Sequence, residues 1–292
     1  VVETSTHWTT LGHGVILLLM FVGGLGFMSL AAFLLAVLGQ RVSIAQRLLI
    51  RETLSTDRIG GLQRLSVSIV LTAVAIQIIG FFALFGRLVA EYEPGMAAWQ
   101  SLFHSVSGFN NAGFVIFPEP NGMAGYQSDV FLLTVMGGLI VLGTLSFWVV
   151  SDIVTRRRFS LYSLVSKIVL FMTGILIIVA AGFIFISEGS NPQTLGQLPI
   201  GQKIAVSVFE GISGRTAGFS TFDYAYARPA TDVFISLMMF IGGATASVAG
   251  GIKVTTFFVV VLSIYSIVKE KSHVTAFGRE IDRLTITRSY AV

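Results

Sequence analysis

Five apolar runs divide the chain, at roughly 12–38, 65–86, 130–150, 164–186 and 232–268. A helix crosses the hydrocarbon core of a bilayer in about 20 residues, so each of the first four runs predicts one crossing. The fifth is too long for one crossing. It is interrupted by Gly242, Gly243, Ala244, Thr245, Ala246, Ser247, Val248, Ala249, Gly250 and Gly251, a small-residue tract that predicts a break in the helix. The polar stretches between the runs alternate in charge. Segments 39–64, 151–167 and 269–292 hold 14 of the 19 Lys and Arg. Segments 87–129 and 187–231 hold only Arg87, Lys203, Arg215 and Arg228, against seven acids. Basic loops face the cytoplasm, so the latter two segments are expected on the outer side.

Each outer segment contains a short amphipathic stretch, 96–106 and 202–212, with helical apolar spacing over about 11 residues. That is too short to cross a membrane and suits a helix that dips in and returns. A helix lying on the outer leaflet is the alternative. Each stretch runs into a similar turn. Phe103–Phe114 and Val208–Phe219 align without gaps at an offset of 105 and end alike in Ala-Gly-Phe. A short helix followed by a Gly-bearing turn, held between two spans, can direct backbone carbonyls onto an ion path. Neither turn carries Asp or Glu. Uncharged carbonyls suit a weakly hydrated monovalent cation such as potassium. A pair of plain chain reversals is the rival reading, and duplication in matching topology argues against it.

Composition supports a membrane setting. The chain of 292 residues is 54% hydrophobic and 12% charged, whereas soluble domains carry about 25% charged residues. There is no Cys, which excludes disulfides and thiolate chemistry. The histidines at 7, 13, 104 and 273 show no metal-binding spacing, and His104 reads as a packed helix residue. The pI near 9.5 reflects loop anchors and does not point to nucleic acid. The chain opens with Val1 and polar residues, without a signal peptide, so its start is expected to be a cut in a longer protein. Gly211-Ile212-Ser213-Gly214 resembles the serine motif of intramembrane proteases, but no later span supplies a His base. An alternating-access carrier also uses repeats and broken helices.

Four stretches together resemble the membrane subunit of the Trk/Ktr/HKT superfamily of potassium transporters, closest to the Ktr type. They are Phe103–Phe114, Gly214–Thr221, Met239–Lys253, and Thr6-His7-Trp8 leading to Val22-Gly23-Gly24-Leu25-Gly26-Phe27. The resemblance implies an all-α integral membrane protein of tandem helix–pore helix–filter–helix repeats. It makes 1–38 the end of a first repeat, 39–64 a cytoplasmic linker and 65–150 the second repeat. A second linker, 151–163, then leads to a third repeat over 164–268. Residues 269–292 form a cytoplasmic segment leading towards a fourth. It implies a selectivity filter at Asn110, Asn111, Ala112, Gly113 and at Arg215, Thr216, Ala217, Gly218, holding K+ through backbone carbonyls. The tract 242–251 with Lys253 would be a gating loop beneath it. This chain has Ala244-Thr245-Ala246-Ser247 where the family pattern has a Ser-Pro-Gly-Ser type centre. Further implications are Na+ as a coupling ion, a homodimer in the bacterial plasma membrane, and a cytosolic nucleotide-binding regulatory ring. That ring, or lipid headgroups, would meet the basic loops. Lys253 is open to two readings, a charge lining the path or a snorkelling anchor. Arg215 either braces the turn, with Glu210 as a partner, or stands in solvent at the outer mouth.

Overall fold

The computed structural model describes residues 3–26, 33, 62–118, 123–270 and 273–291. Most of the expected linker 39–64, with Arg41, Arg47, Arg51 and Arg58, lies outside the described residues, as does most of the first apolar run beyond Gly26. The described chain is mostly helical. A single turn, α1 (Thr4–His7), precedes α2 (Thr10–Leu25). Thr9 caps α2 by accepting from the Gly12 N–H at 3.3 Å. There follow α3 (Leu62–Leu88), α4 (Pro94–Phe109), α5 (Val130–Thr144) and α6 (Phe147–Arg156). Then come α7 (Leu164–Glu188), α8 (Ile200–Thr216), α9 (Pro229–Met239), α10 (Val254–Val268) and α11 (Arg283–Tyr290). A hairpin, β1 (Thr275–Ala276) with β2 (Arg279–Glu280), separates the last two helices. Its tip residue Phe277 rests edge-on against Phe159 and Phe171.

Among the described residues, two stretches, Arg64–Leu88 and Leu164–Glu188, are long and apolar enough to cross a membrane unbroken. The apolar run 130–150 is not the single straight crossing expected: α5 and α6 meet at 104°. No Pro marks the site. The bend sits where Gly143 lies against the Phe109 carbonyl and where the Thr144 carbonyl accepts from the Ala244 N–H at 3.0 Å. Both partners are distant in sequence, so the kink is imposed by tertiary contact. The fifth run is divided as expected, into α9 and α10.

Around an apolar core, large apolar side chains also face outward and several polar ones face inward. Leu18, Ile79, Ile178 and Ile186 are exposed, whereas Ser101, His104, Ser107, Glu210 and Ser213 are buried. Intramembrane polar groups face the bundle interior and pair there. Helix α5 lies against both short helices, α4 and α8; α2 and α3 pack on α4, and α7 packs on α8. The shared core includes Leu132, Met136, Ile140, Phe109 and Phe209. In lipid such contacts hold by close packing rather than by escape from water. Gly211 illustrates this: a Cβ there would lie 2.8 Å from the Ala181 backbone nitrogen, so only Gly lets α8 sit this close to α7. Glu188 ties the end of α7 to the start of α9. It accepts from the Arg228 N–H at 2.9 Å and from the hydroxyls of Thr194 and Thr231.

Candidate ion-path turns and glycine-rich tract

The two short helices α4 and α8, of 16 and 17 residues, are longer than the 11 residues expected of each. Pro94 stands in the first turn of α4, where its missing N–H costs nothing. At their far ends both helices unwind into the predicted turns. Gly113 has φ +73° and Gly218 φ +78°, a left-handed backbone that L side chains rarely adopt. The two turns, 105 residues apart in sequence, meet in space: a Cβ on Gly113 would lie 2.4 Å from the Ala217 carbonyl oxygen.

The hydrogen bonds correct the gapless alignment. Ser107 Oγ donates to the Phe114 carbonyl at 2.8 Å, and Ser213 Oγ donates to the Phe219 carbonyl at 2.6 Å. The Ala112 N–H returns to the Ser107 carbonyl, and the Ala217 N–H to the Ser213 carbonyl. Ser107 and Ser213 are therefore equivalent, at an offset of 106, while Ala-Gly-Phe keeps the offset of 105. The first copy carries one extra residue. It is absorbed at Asn111, itself left-handed with φ +51°, a conformation Asn tolerates. The sequence signal for this register is the Ser-Gly pair that opens each turn, Ser107-Gly108 and Ser213-Gly214. Ser213 is also the nucleophile of the protease reading. Its hydroxyl is committed to a carbonyl instead.

Of the named turn residues, Asn110 caps α4 and turns its amide back onto the Val106 carbonyl at 2.9 Å. It lies against Gly24 of α2, where a Cβ would fall 1.8 Å from Asn110 Oδ1. Asn111 Nδ2 donates to Thr144 Oγ1 at the α5–α6 bend, 3.3 Å away. Arg215 and Thr216 close α8, and Ala217 follows as its cap. The Arg215 side chain is buried and does not reach Glu210. Its Nη2 donates to the Gly242 carbonyl at 2.9 Å, so it braces the Gly-rich tract and is not solvated at an outer mouth. Glu210 instead accepts from Thr221 and Tyr224.

The tract between α9 and α10 leaves and returns through one narrow neck. The Gly242 N–H donates to the Ile252 carbonyl and the Ile252 N–H to the Phe240 carbonyl, both at 2.9 Å. The Val254 N–H closes onto the Gly243 carbonyl at 3.0 Å. A Cβ on Gly242 would lie 1.7 Å from the Gly250 carbonyl oxygen, so the neck has no room for a side chain. Ser247 Oγ donates to the Ala244 carbonyl, and Thr245 Oγ1 sits 3.2 Å from Thr255 Oγ1. Lys253 Nζ donates to the Ala249 carbonyl at 2.7 Å, which ties it to the tract itself. Ala246 holds φ +58°. The tip, Ala246 to Val248, borders a cavity of about 240 Å³ shared with Gly24, Phe109 and Gly143. Thus the tract, the first turn and the bend are in one place. A non-helical segment at membrane depth is tolerated where its backbone groups find partners, and here Thr144, Arg215 and the tract's own neck supply them.

The TrkH family, described as cation transport protein, matches residues 2–292. The chain is 38% identical over 292 residues to the Ktr system potassium uptake protein B of Bacillus subtilis and 36% identical to that of Vibrio alginolyticus. Both alignments cover all of this chain, which spans 65% and 64% of those relatives. The potassium/sodium uptake protein NtpJ of Enterococcus hirae is 33% identical over 98% of this chain and 63% of its own. The crystal structure of the potassium transporter TrkH from Vibrio parahaemolyticus superposes with a TM-score of 0.70. That alignment covers 96% of this chain and 56% of the other, at 15% identity, and supports the fold.

Proposed function

The chain belongs to the TrkH family of cation transport proteins, not to an enzyme family, and from that premise we propose that it forms part of a potassium uptake path in the bacterial plasma membrane. The observation that carries the reading is the meeting of two left-handed glycine turns, Gly113 and Gly218, each set on a buried short helix and free of acidic side chains. Residues 65–150 and 164–268 act as the second and third of the family's repeats, with 1–38 closing the first. Dehydrated K+ passes between the backbone carbonyls of 110–113 and 215–218, which stand in for its water shell. The tract 242–251 gates the path from below. Its narrow neck, its contact with Thr144 and the cavity at its tip support that role. The basic segments 151–163 and 269–292 meet a cytosolic nucleotide-binding ring and lipid headgroups, and two copies form the working unit.

A sodium-accepting variant of the same path is the second reading, favoured by the 33% identity to a potassium/sodium uptake protein. One assay separates the two. The complete gene is expressed in a bacterium lacking potassium uptake, and rubidium and sodium uptake are followed. Rubidium entry without sodium entry, lost in discrimination on Gly218→Ser, is expected. Sodium entry alone selects the second reading. Discrimination unchanged by Gly218→Ser contradicts the role given to the turns.

A further inference from the structure

Two buried side chains on the short helices have no part in that account. His104 of α4 and Glu210 of α8 are both fully buried. Once Ser107 is matched to Ser213, each lies three residues before its serine. They share a task as well as a position. His104 Nε2 accepts from the Ile116 N–H at 3.3 Å. Glu210 Oε1 accepts from the Thr221 N–H at 2.6 Å. Ile116 and Thr221 are both the third residue beyond the turn glycine. Each strand leaving a turn is therefore fastened from behind at two points. A serine hydroxyl holds the carbonyl next to the glycine, and an acceptor from the helix holds the N–H two residues further on.

The chemistry of each acceptor is fixed by its other partners. His104 Nδ1 lies 2.8 Å from the Gln100 carbonyl, which can only accept, so Nδ1 carries the proton and Nε2 offers its lone pair. Stacking on Phe117, with ring centroids 3.8 Å apart, fixes the ring plane. Glu210 meets donors only: the Thr221 N–H, the Thr221 hydroxyl at 2.6 Å and the Tyr224 hydroxyl at 2.9 Å. The same bond is thus made by a neutral imidazole in one repeat and by an acidic side chain in the other. The shorter contact, and the hydroxyls that share it, make Glu210 the stronger anchor.

A path that separates ions by carbonyl spacing needs that spacing held to a fraction of an ångström. Gly113 and Gly218 have no side chain with which to hold the strands that leave them. We propose that His104 and Glu210 are matched positioning residues that set the placement of the two turns and thereby the discrimination between potassium and sodium. The proposal rests on the ion-path reading of the turns. It adds that selectivity depends on two residues that never touch the ion.

The test is the rubidium-to-sodium uptake ratio of the complete protein, corrected for the amount of folded protein in the membrane. His104→Leu and Glu210→Leu remove the acceptors. His104→Gln and Glu210→Gln keep an acceptor at similar reach and serve as rescues. The ratio is expected to fall roughly tenfold for Glu210→Leu and about threefold for His104→Leu, because Glu210 receives three hydrogen bonds and His104 Nε2 receives one. The Gln variants should remain near the unchanged protein. Should the Leu variants fail to accumulate, Glu210→Asp and His104→Asn withdraw the acceptor while keeping a polar group, and they too should lower the ratio. An unchanged ratio in folded Leu, Asp or Asn variants, with Gly218→Ser still lowering it, overturns the anchoring role and leaves the path. An unchanged ratio in Gly218→Ser as well overturns both.

Discussion

Adding one methyl group at Gly113 tests whether the two turns touch. Gly113→Ala imposes two costs. The left-handed backbone at φ +73° costs an alanine about 1–2 kcal/mol. The new Cβ would also stand 2.4 Å from the Ala217 carbonyl oxygen, and real Cβ contacts essentially never fall below 3.0 Å. The two turns must then part by about 0.6 Å, and forced repacking of that kind costs about 1–3 kcal/mol. The sum is a destabilisation of about 2–5 kcal/mol. Gly138→Ala in α5 is the control: nothing lies within 4 Å of a Cβ there and its backbone is helical. That change should be neutral, or stabilising by about 0.5–1 kcal/mol. The assay is thermal unfolding of the full-length protein in detergent, followed by size-exclusion fluorescence, with rubidium uptake alongside. Gly113→Ala should melt well below the control and lose ion discrimination. Melting with the control, and discriminating as before, would refute the contact between the turns.

Other changes probe the tract beneath. Arg215→Gln removes the bond to the Gly242 carbonyl, a charged hydrogen bond of about 1.5–3 kcal/mol. Basal rubidium flux should rise severalfold, and unchanged flux would mean that the bond does not restrain the tract. Removing several residues of 243–249 should raise flux further, and no change would exclude a gate there. At Ala246, held at φ +58°, Gly should relieve strain of about 1–2 kcal/mol. Val should add to it, so Ala246→Val is expected to melt below Ala246→Gly; the reverse order would place Ala246 elsewhere in dihedral space.

What the sequence disclosed, and what it hid, follows from the range of the forces involved. The apolar runs at 65–86 and 164–186 and the break at Gly242–Gly251 are local patterns and were legible. So were the two turns, because a left-handed backbone demands glycine at Gly113 and Gly218. The bend after Thr144 was not legible, since it depends on Ala244 and Phe109, both remote in the chain. The partner of Arg215 was not legible: proximity in sequence suggests Glu210, about one and a half turns back on the same helix, whereas the Gly242 carbonyl that takes the bond lies on another element. The equivalence of His104 and Glu210 was masked by the extra residue in the first turn. A gapless offset of 105 sets Ser105 opposite Glu210. The Ser-Gly pairs at 107 and 213 would have restored the register.

The central claim is that the two turns form part of one potassium-selective path. Its most direct test is flux through the purified full-length protein reconstituted in vesicles, measured with potassium and with sodium as the only permeant cation. The account predicts potassium flux well above sodium flux, with the difference reduced by Gly113→Ser and by Gly218→Ser alike. Flux that discriminates equally well in all three proteins, or no flux of either ion, would contradict it.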